Sequence, residues 1–205
     1  KPNFSYDKKT GAGEIEYTNY FLTDEFNDKA ESAIAGFKIL PSSFSWDYSM
    51  DGGGKLKDNI AYRGSTNSDG GHILAGADGY YTITLNTANN TATMVKYEGN
   101  VTNYGTIQIA GSFNEWADTP MLPYNTEGVE NHAWYYVMEV PAGDPIQFKF
   151  KIAGSWDTSW GYGAEDGAIN MYGKCDAGGK NIGLAEGKYV ISFNDITGAF
   201  SIVKL

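Results

Sequence analysis

A chain of 205 residues is too long for one minimal module and suits two of about 100 residues each. Its 26 glycines, 15% aromatic and only 20% charged residues describe short strands joined by tight turns, and a hydrophobic share of 41% excludes general disorder. A net charge of −10 repels phosphate backbones and leaves no basic patch for anionic lipid, so nucleic acid is excluded as a natural partner, whereas a neutral sugar is not.

In chain order, strands are predicted near 14–22 and 35–40, with at most one helical turn within 24–35. Strands at 80–85 and 92–97 follow, joined through the turn formers Thr87-Ala88-Asn89-Asn90. Glu98-Gly99-Asn100-Val101-Thr102-Asn103 reads as a linker. Beyond it, strands are predicted at 106–110, 134–140 and 146–152, with turns marked by Pro120, Pro123, Pro141 and Pro145. The chain closes on a hairpin of 188–193 and Phe200–Lys204 around Asp195-Ile196-Thr197-Gly198. The two closing hairpins match one another. Gly70 and Gly178, Tyr81 and Tyr189, Asn86 and Asn194, and Lys96 and Lys204 are each 108 positions apart, which points to a duplicated module. Many short strands and no sustained helical periodicity predict an all-β protein of two tandem β-sandwich modules, 1–98 and 104–205.

No stretch is apolar enough to span a membrane as a helix, and no leader precedes Lys1, an opening that suits a segment trimmed from a longer chain. The lone Cys175 reads as a small hydrophobe rather than half of a disulfide or a zinc ligand.

The chemistry is concentrated in the second module. Gly111-Ser112-Phe113-Asn114-Glu115-Trp116 is followed by Glu139-Val140-Pro141-Ala142-Gly143, then by Phe148-Lys149-Phe150-Lys151-Ile152-Ala153-Gly154-Ser155-Trp156, and later by Lys180-Asn181-Ile182. The order and spacing of these four elements resemble the glycogen-binding module of the AMP-activated kinase β subunit and related starch-binding domains. The resemblance implies an immunoglobulin-like, early-set sandwich whose two Trp residues, here Trp116 and Trp156, stack on an α-glucan. It also implies that Lys149 and Asn181 hydrogen-bond sugar hydroxyls. A pyranose ring has an apolar C–H face that flat aromatics cover and a hydroxyl rim that amides and ammonium groups satisfy, so these residue types suit that ligand independently of the family.

Each residue also has a plainer reading. Lys149 alternates along a strand and suits a solvated face, and Asn181 suits a turn. Trp160, within Trp156-Asp157-Thr158-Ser159-Trp160-Gly161-Tyr162-Gly163, is predicted on a glycine-flanked loop, where it is either a further stacking residue or core. Trp134, in Trp134-Tyr135-Tyr136-Val137-Met138, reads as core.

The tandem arrangement and the Gly-Gly…Asn-Ile…Glu-Gly-Lys-Tyr ending also resemble SusE/SusF-type surface lipoproteins of Gram-negative glycan-uptake systems. That resemblance implies lipid anchoring at the outer membrane and proximity to a transporter. The first module departs from the pattern. Only Phe26-Asn27 matches the first turn, Ile73 stands where the repeat offset puts Asn181, and Trp46, Tyr48 and Tyr62 are the aromatic candidates left for a different ligand.

Catalysis finds little support. The carboxyl pairs Glu115/Asp118 and Glu165/Asp166 lie in polar turns and read as solvated, and His72 and His132 have no visible Ser or Cys companion. Asp157, Glu165, Asp166 and Asp176 match no calcium-loop spacing, and neither a metal nor a cofactor is expected. The sequons at Asn3, Asn89 and Asn100 carry glycans only in a eukaryotic secretory route, so none is expected here. The expectation is a monomeric, non-catalytic polysaccharide-binding protein of the bacterial cell surface. The alternative is a scaffolding pair that docks a protein through exposed aromatics.

Overall fold

The computed structural model describes residues 14–21, 54–55, 62–63, 73–74, 78–86, 91–124 and 131–205. The expected strand at 35–40, the helical turn within 24–35, the turn 87–90, and His72, Trp46 and Tyr48 lie outside these residues. The described residues are all-β and divide into two compact units, one made of those up to Asn100 and one of those from Val101.

In the first unit, β1 (Glu14–Phe21), β3 (Tyr62–Arg63), β5 (Gly79–Asn86) and β6 (Thr91–Lys96) form an antiparallel sheet in the order β1-β5-β6-β3. β2 (Gly54–Lys55) and β4 (Ile73–Leu74) pair in parallel beside one another. Alternation along β5 buries Tyr81 and Ile83, at 2% and 1% exposure, as a strand with one core face does.

The second unit is a β-sandwich. One sheet holds β9 (Leu122–Pro123), β10 (Ala133–Val140), β14 (Tyr172–Lys174), β17 (Gly187–Asn194) and β18 (Ala199–Lys204), in the order β14-β18-β17-β10-β9. The other is built around β11 (Ile146–Ile152). On one side β11 pairs with β7 (Ile107–Gly111), which pairs in turn with β8 (Thr119–Pro120). On the other side it pairs with β16 (Ile182–Leu184) through its first half and with β12 (Ser159–Gly161) through its second. β13 (Ala168–Ile169) and β15 (Asp176–Ala177) extend those two partners. Phe148 and Phe150 of β11 are fully buried, and Phe150 stacks on Phe193 of β17 with centroids 4.2 Å apart and planes 17° from parallel, so the two sheets meet on aromatic faces.

The two units repeat one plan. Tyr81 pairs with Lys96 and Tyr189 with Lys204, which are the positions related by the 108-residue offset. β1 lies on β5 in the register that β10 takes on β17, with Glu14 opposite Asn86 and Ala133 opposite Asn194. β3 caps β6 as β14 caps β18, and the parallel pair β2/β4 has its counterpart in β13/β16. In the second unit the hairpin turn is held by Asn194, whose side-chain oxygen accepts from the Ile196 and Thr197 N–H groups at 3.0 and 3.2 Å, while Gly198 takes the left-handed conformation at φ 77°.

Trp134 lies in the core at 3% exposure, as its strand position predicts. Its indole N–H donates to Asp195 Oδ2 at 2.8 Å, and Asp195 Oδ1 is 2.6 Å from His132 Nδ1. Both partners are buried, so one carboxylate satisfies two ring nitrogens and fastens the hairpin turn to β10. Cys175 is also buried, which pushes its thiol pKa up and leaves it without thiolate character. Trp134→Ala removes a buried indole and takes from Asp195 Oδ2 its indole donor, leaving His132 on Oδ1. It is expected to cost about 3–5 kcal/mol of stability, read as a lowered midpoint in urea unfolding.

Candidate functional site

The site is built from two loops at neighbouring strands. The first leaves β7 at Gly111, where a Cβ would lie 2.2 Å from the Gln147 carbonyl oxygen, so only glycine lets β7 approach β11 so closely. A 3₁₀ turn over Ser112–Asn114 follows. Ser112 Oγ accepts from the Gln147 N–H at 3.0 Å, and Phe113 packs against the core beside Tyr136. Asn114 binds the turn together. Its Oδ1 accepts from Gly111 N–H at 2.9 Å, and its Nδ2 donates to Ala117 O and Thr119 Oγ1, both at 2.7 Å. Trp116 N–H closes back onto Gly111 O at 2.9 Å. The Gly-Ser-Phe-Asn part of the motif is therefore a fastening, and what it presents is the next pair. Glu115 and Trp116 have φ of 55° and 62°, two successive left-handed non-glycine residues. Such conformations cost on the order of 1–3 kcal/mol each, persist only where their surroundings enforce them, and collect at binding sites.

The second loop leaves β11 after Ile152, turns at Gly154 with φ 70°, and carries Trp156, 45% exposed, toward β12. The indoles of Trp116 and Trp156 stand 6.0 Å apart between centroids with their planes tilted by 60°. Between the loops lies Asp118. One of its carboxylate oxygens pairs with the Lys151 ammonium, and the other accepts from the Gly154 N–H at 2.6 Å. Lys151 is 2% exposed, and its ammonium sits over the Trp156 ring at 4.7 Å from the centroid. The Lys151 hydrogen bond, with help from the Gly154 N–H, holds the Asp118 carboxyl below the ordinary carboxylate range.

Lys149 and Asn181 stand on the same part of the sheet. Gln147, Lys149 and Lys151 alternate with the buried Phe148 and Phe150, so they share the outer face of β11 at a spacing of about 7 Å. Phe148 pairs with Ile182, which puts Asn181 next to Lys149 along the register. Asn181 Nδ2 donates to Gln147 Oε1 at 3.1 Å, and its backbone N–H donates to Asp166 Oδ1 at 2.9 Å. Lys149 is half-buried, and desolvation lowers its pKa while Asp166 pulls it back. The outer stripe of β11 thus runs from Asn181 and Gln147 at one end, through Lys149, to Lys151 and the two indoles at the other.

Trp160 does not join them. It lies on β12 opposite Phe150, so it shares that residue's core face, and at 9% exposure it packs edge-on to Tyr104 and 5.4 Å from Phe193. Gly161 beside it marks a close backbone approach rather than a loop, since a Cβ there would meet Lys180 O at 2.1 Å. Asp118 is an exposed residue of the turn, as its polar surroundings predict, and in addition it joins the two loops. Lys151 carried no motif signal beyond its alternation with Phe150. Asp166 is committed to Asn181 and Lys180, and among the described residues no three His, Cys, Asp or Glu side chains come together to hold a metal ion.

Comparison with known proteins returns little. No protein-family model matches the chain, and no curated protein matches it. Among solved structures, the crystal structure of SusF from Bacteroides thetaiotaomicron is similar over 100% of this chain and 50% of its own, with 16% identity and a TM-score of 0.38. The chain spans about half the length of that protein. No helix of the described residues is long and apolar enough to cross a membrane.

The lowered Asp118 pKa has a defined sign. The fold favours the ionised carboxyl, so the bridge between the loops is fully present above the ordinary carboxylate range and is lost only as pH falls through the lower, folded value. Carboxyl NMR is expected to show Asp118 titrating below a typical aspartate, and Lys151→Met is expected to move it back up.

Proposed function

We propose that the second unit binds a polysaccharide, with α-glucan the favoured class, by stacking sugar rings on Trp116 and Trp156. The observation that carries this reading is the pair of indoles, 6.0 Å apart and tilted by 60°, raised on a strained turn and a glycine-hinged loop at the border of a sheet. Two flat surfaces set at an angle suit successive rings of a curved chain better than a straight one. Lys149 and Asn181 stand along the same sheet face, where an ammonium and an amide meet the hydroxyl rim. The ordered motif resemblance to glycogen-binding modules supports the same assignment. The tandem units support a place among the surface glycan-capture proteins of a Sus-type uptake system, anchored at the outer membrane near its transporter.

The site is shallow and wet. Each hydroxyl contact replaces a water contact and nets about 1 kcal/mol. Each stacked ring adds roughly 1–3 kcal/mol by analogy with base stacking on aromatics. Association entropy offsets much of the sum. The dissociation constant is expected on the order of 10 μM to 1 mM, and because the ligand is neutral it is expected to be insensitive to salt.

The role is binding without turnover, so purified protein incubated with starch is expected to release no reducing sugar. By calorimetry with maltoheptaose, Trp116→Ala and Trp156→Ala are each expected to abolish measurable binding while lowering stability by no more than about 1–2 kcal/mol. Unchanged affinity in both variants overturns the assignment. Retention of the wild type on no glucan gel favours protein docking by the same aromatics.

A further inference from the structure

The two indoles belong to loops that leave different strands, yet one carboxylate touches both loops. Asp118 follows Trp116 by two residues, and its second partner, Gly154, precedes Trp156 by two. Its first partner, Lys151, is buried beneath the platform with its ammonium over the Trp156 ring. A buried cation must be paired, so Lys151 fixes where Asp118 has to be, and Asp118 fixes both loops. The indole then completes the cation's surroundings, which restricts the rotamer of Trp156. The opposite end of the first loop is held by Asn114 and Gly111, so Trp116 is constrained from both sides in the chain.

We propose that Asp118 and Lys151 are positioning residues that set the distance and tilt between Trp116 and Trp156 before any sugar arrives. This deepens the proposed function and rests on it for its consequence in binding, although the geometry it describes exists in the free protein. A preformed platform spares the ligand the cost of ordering two aromatic side chains and their loops, which is where preorganisation raises affinity. Neither residue touches the sugar in this account. Both act through the indoles.

The test reads the indole pair itself. Two indoles at this separation and tilt couple electronically and produce an exciton couplet in circular dichroism, identified by its disappearance in Trp116→Phe and Trp156→Phe. The double variant Asp118→Ala/Lys151→Met removes the bridge without leaving an unpaired buried cation, so it is expected to fold, as urea unfolding checks. It is expected to lose at least half of the couplet amplitude and about tenfold in maltoheptaose affinity. Lys151→Arg keeps the cation and the carboxylate partner and is expected to retain both. A couplet unchanged in the folded double variant overturns the proposal, and so does a diminished couplet with unaltered affinity. If the wild type binds no glucan, the proposed function fails, while the couplet still decides whether Asp118 and Lys151 set the pair.

Discussion

Phe150 stacks on Phe193 across the gap between the two sheets of the second unit, and the rest of that unit is arranged around the contact. β11 lies between β7 on one side and β16 and β12 on the other, so its residues are placed by pairing along both edges. Side chains alternate along a strand, and with Phe148 and Phe150 committed to the core, Gln147, Lys149 and Lys151 have only the outer face left. A slip of one residue would turn three polar side chains into the apolar core and two phenyl rings out of it, so the register is strongly specified. The polar stripe beside the candidate platform is the reverse side of the core.

The platform shows how a binding surface is made from residues that a folded chain would ordinarily hide or relax. Glu115 and Trp116 occupy the left-handed region, and their strain is offset by the network of Asn114 and by the close approach of β7 to β11 at Gly111. Trp156 projects from a loop that the Asp118 carboxylate ties to the first loop through the Gly154 N–H. Aromatic surface of this kind is stable in water when something beneath it is fixed, and here a buried lysine, neutralised by an aspartate, occupies that place.

The described strands of the two units share order and register, but the two sequences differ at a position that belongs to this surface. In the first, β4 carries Ile73 and Leu74 where the second has Asn181 and Ile182 at the same offset. Pairing needs backbone groups and an alternation of apolar residues, which duplication preserves at low cost. A sugar-binding surface needs particular side chains on loops, which are free to change without disturbing the sheets.

The sequence alone determined the class, the duplication and most of the long strands. Period-two alternation, glycine-rich turns and the 108-residue offset are local signals, and β5, β6, β10, β11, β17 and β18 follow them closely. It also singled out Trp116, Trp156, Lys149 and Asn181 through motif order. The short strands β12 to β16 escaped notice because two or three residues carry no periodicity, and their existence depends on partners far along the chain. For the same reason Trp160 was misplaced, since only its pairing opposite Phe150 reveals that it faces the core. The part played by Asp118 and Lys151 was decided by tertiary structure alone. They are 33 residues apart, and a charge pair at that separation leaves no pattern in a sequence until two strands bring its members into contact.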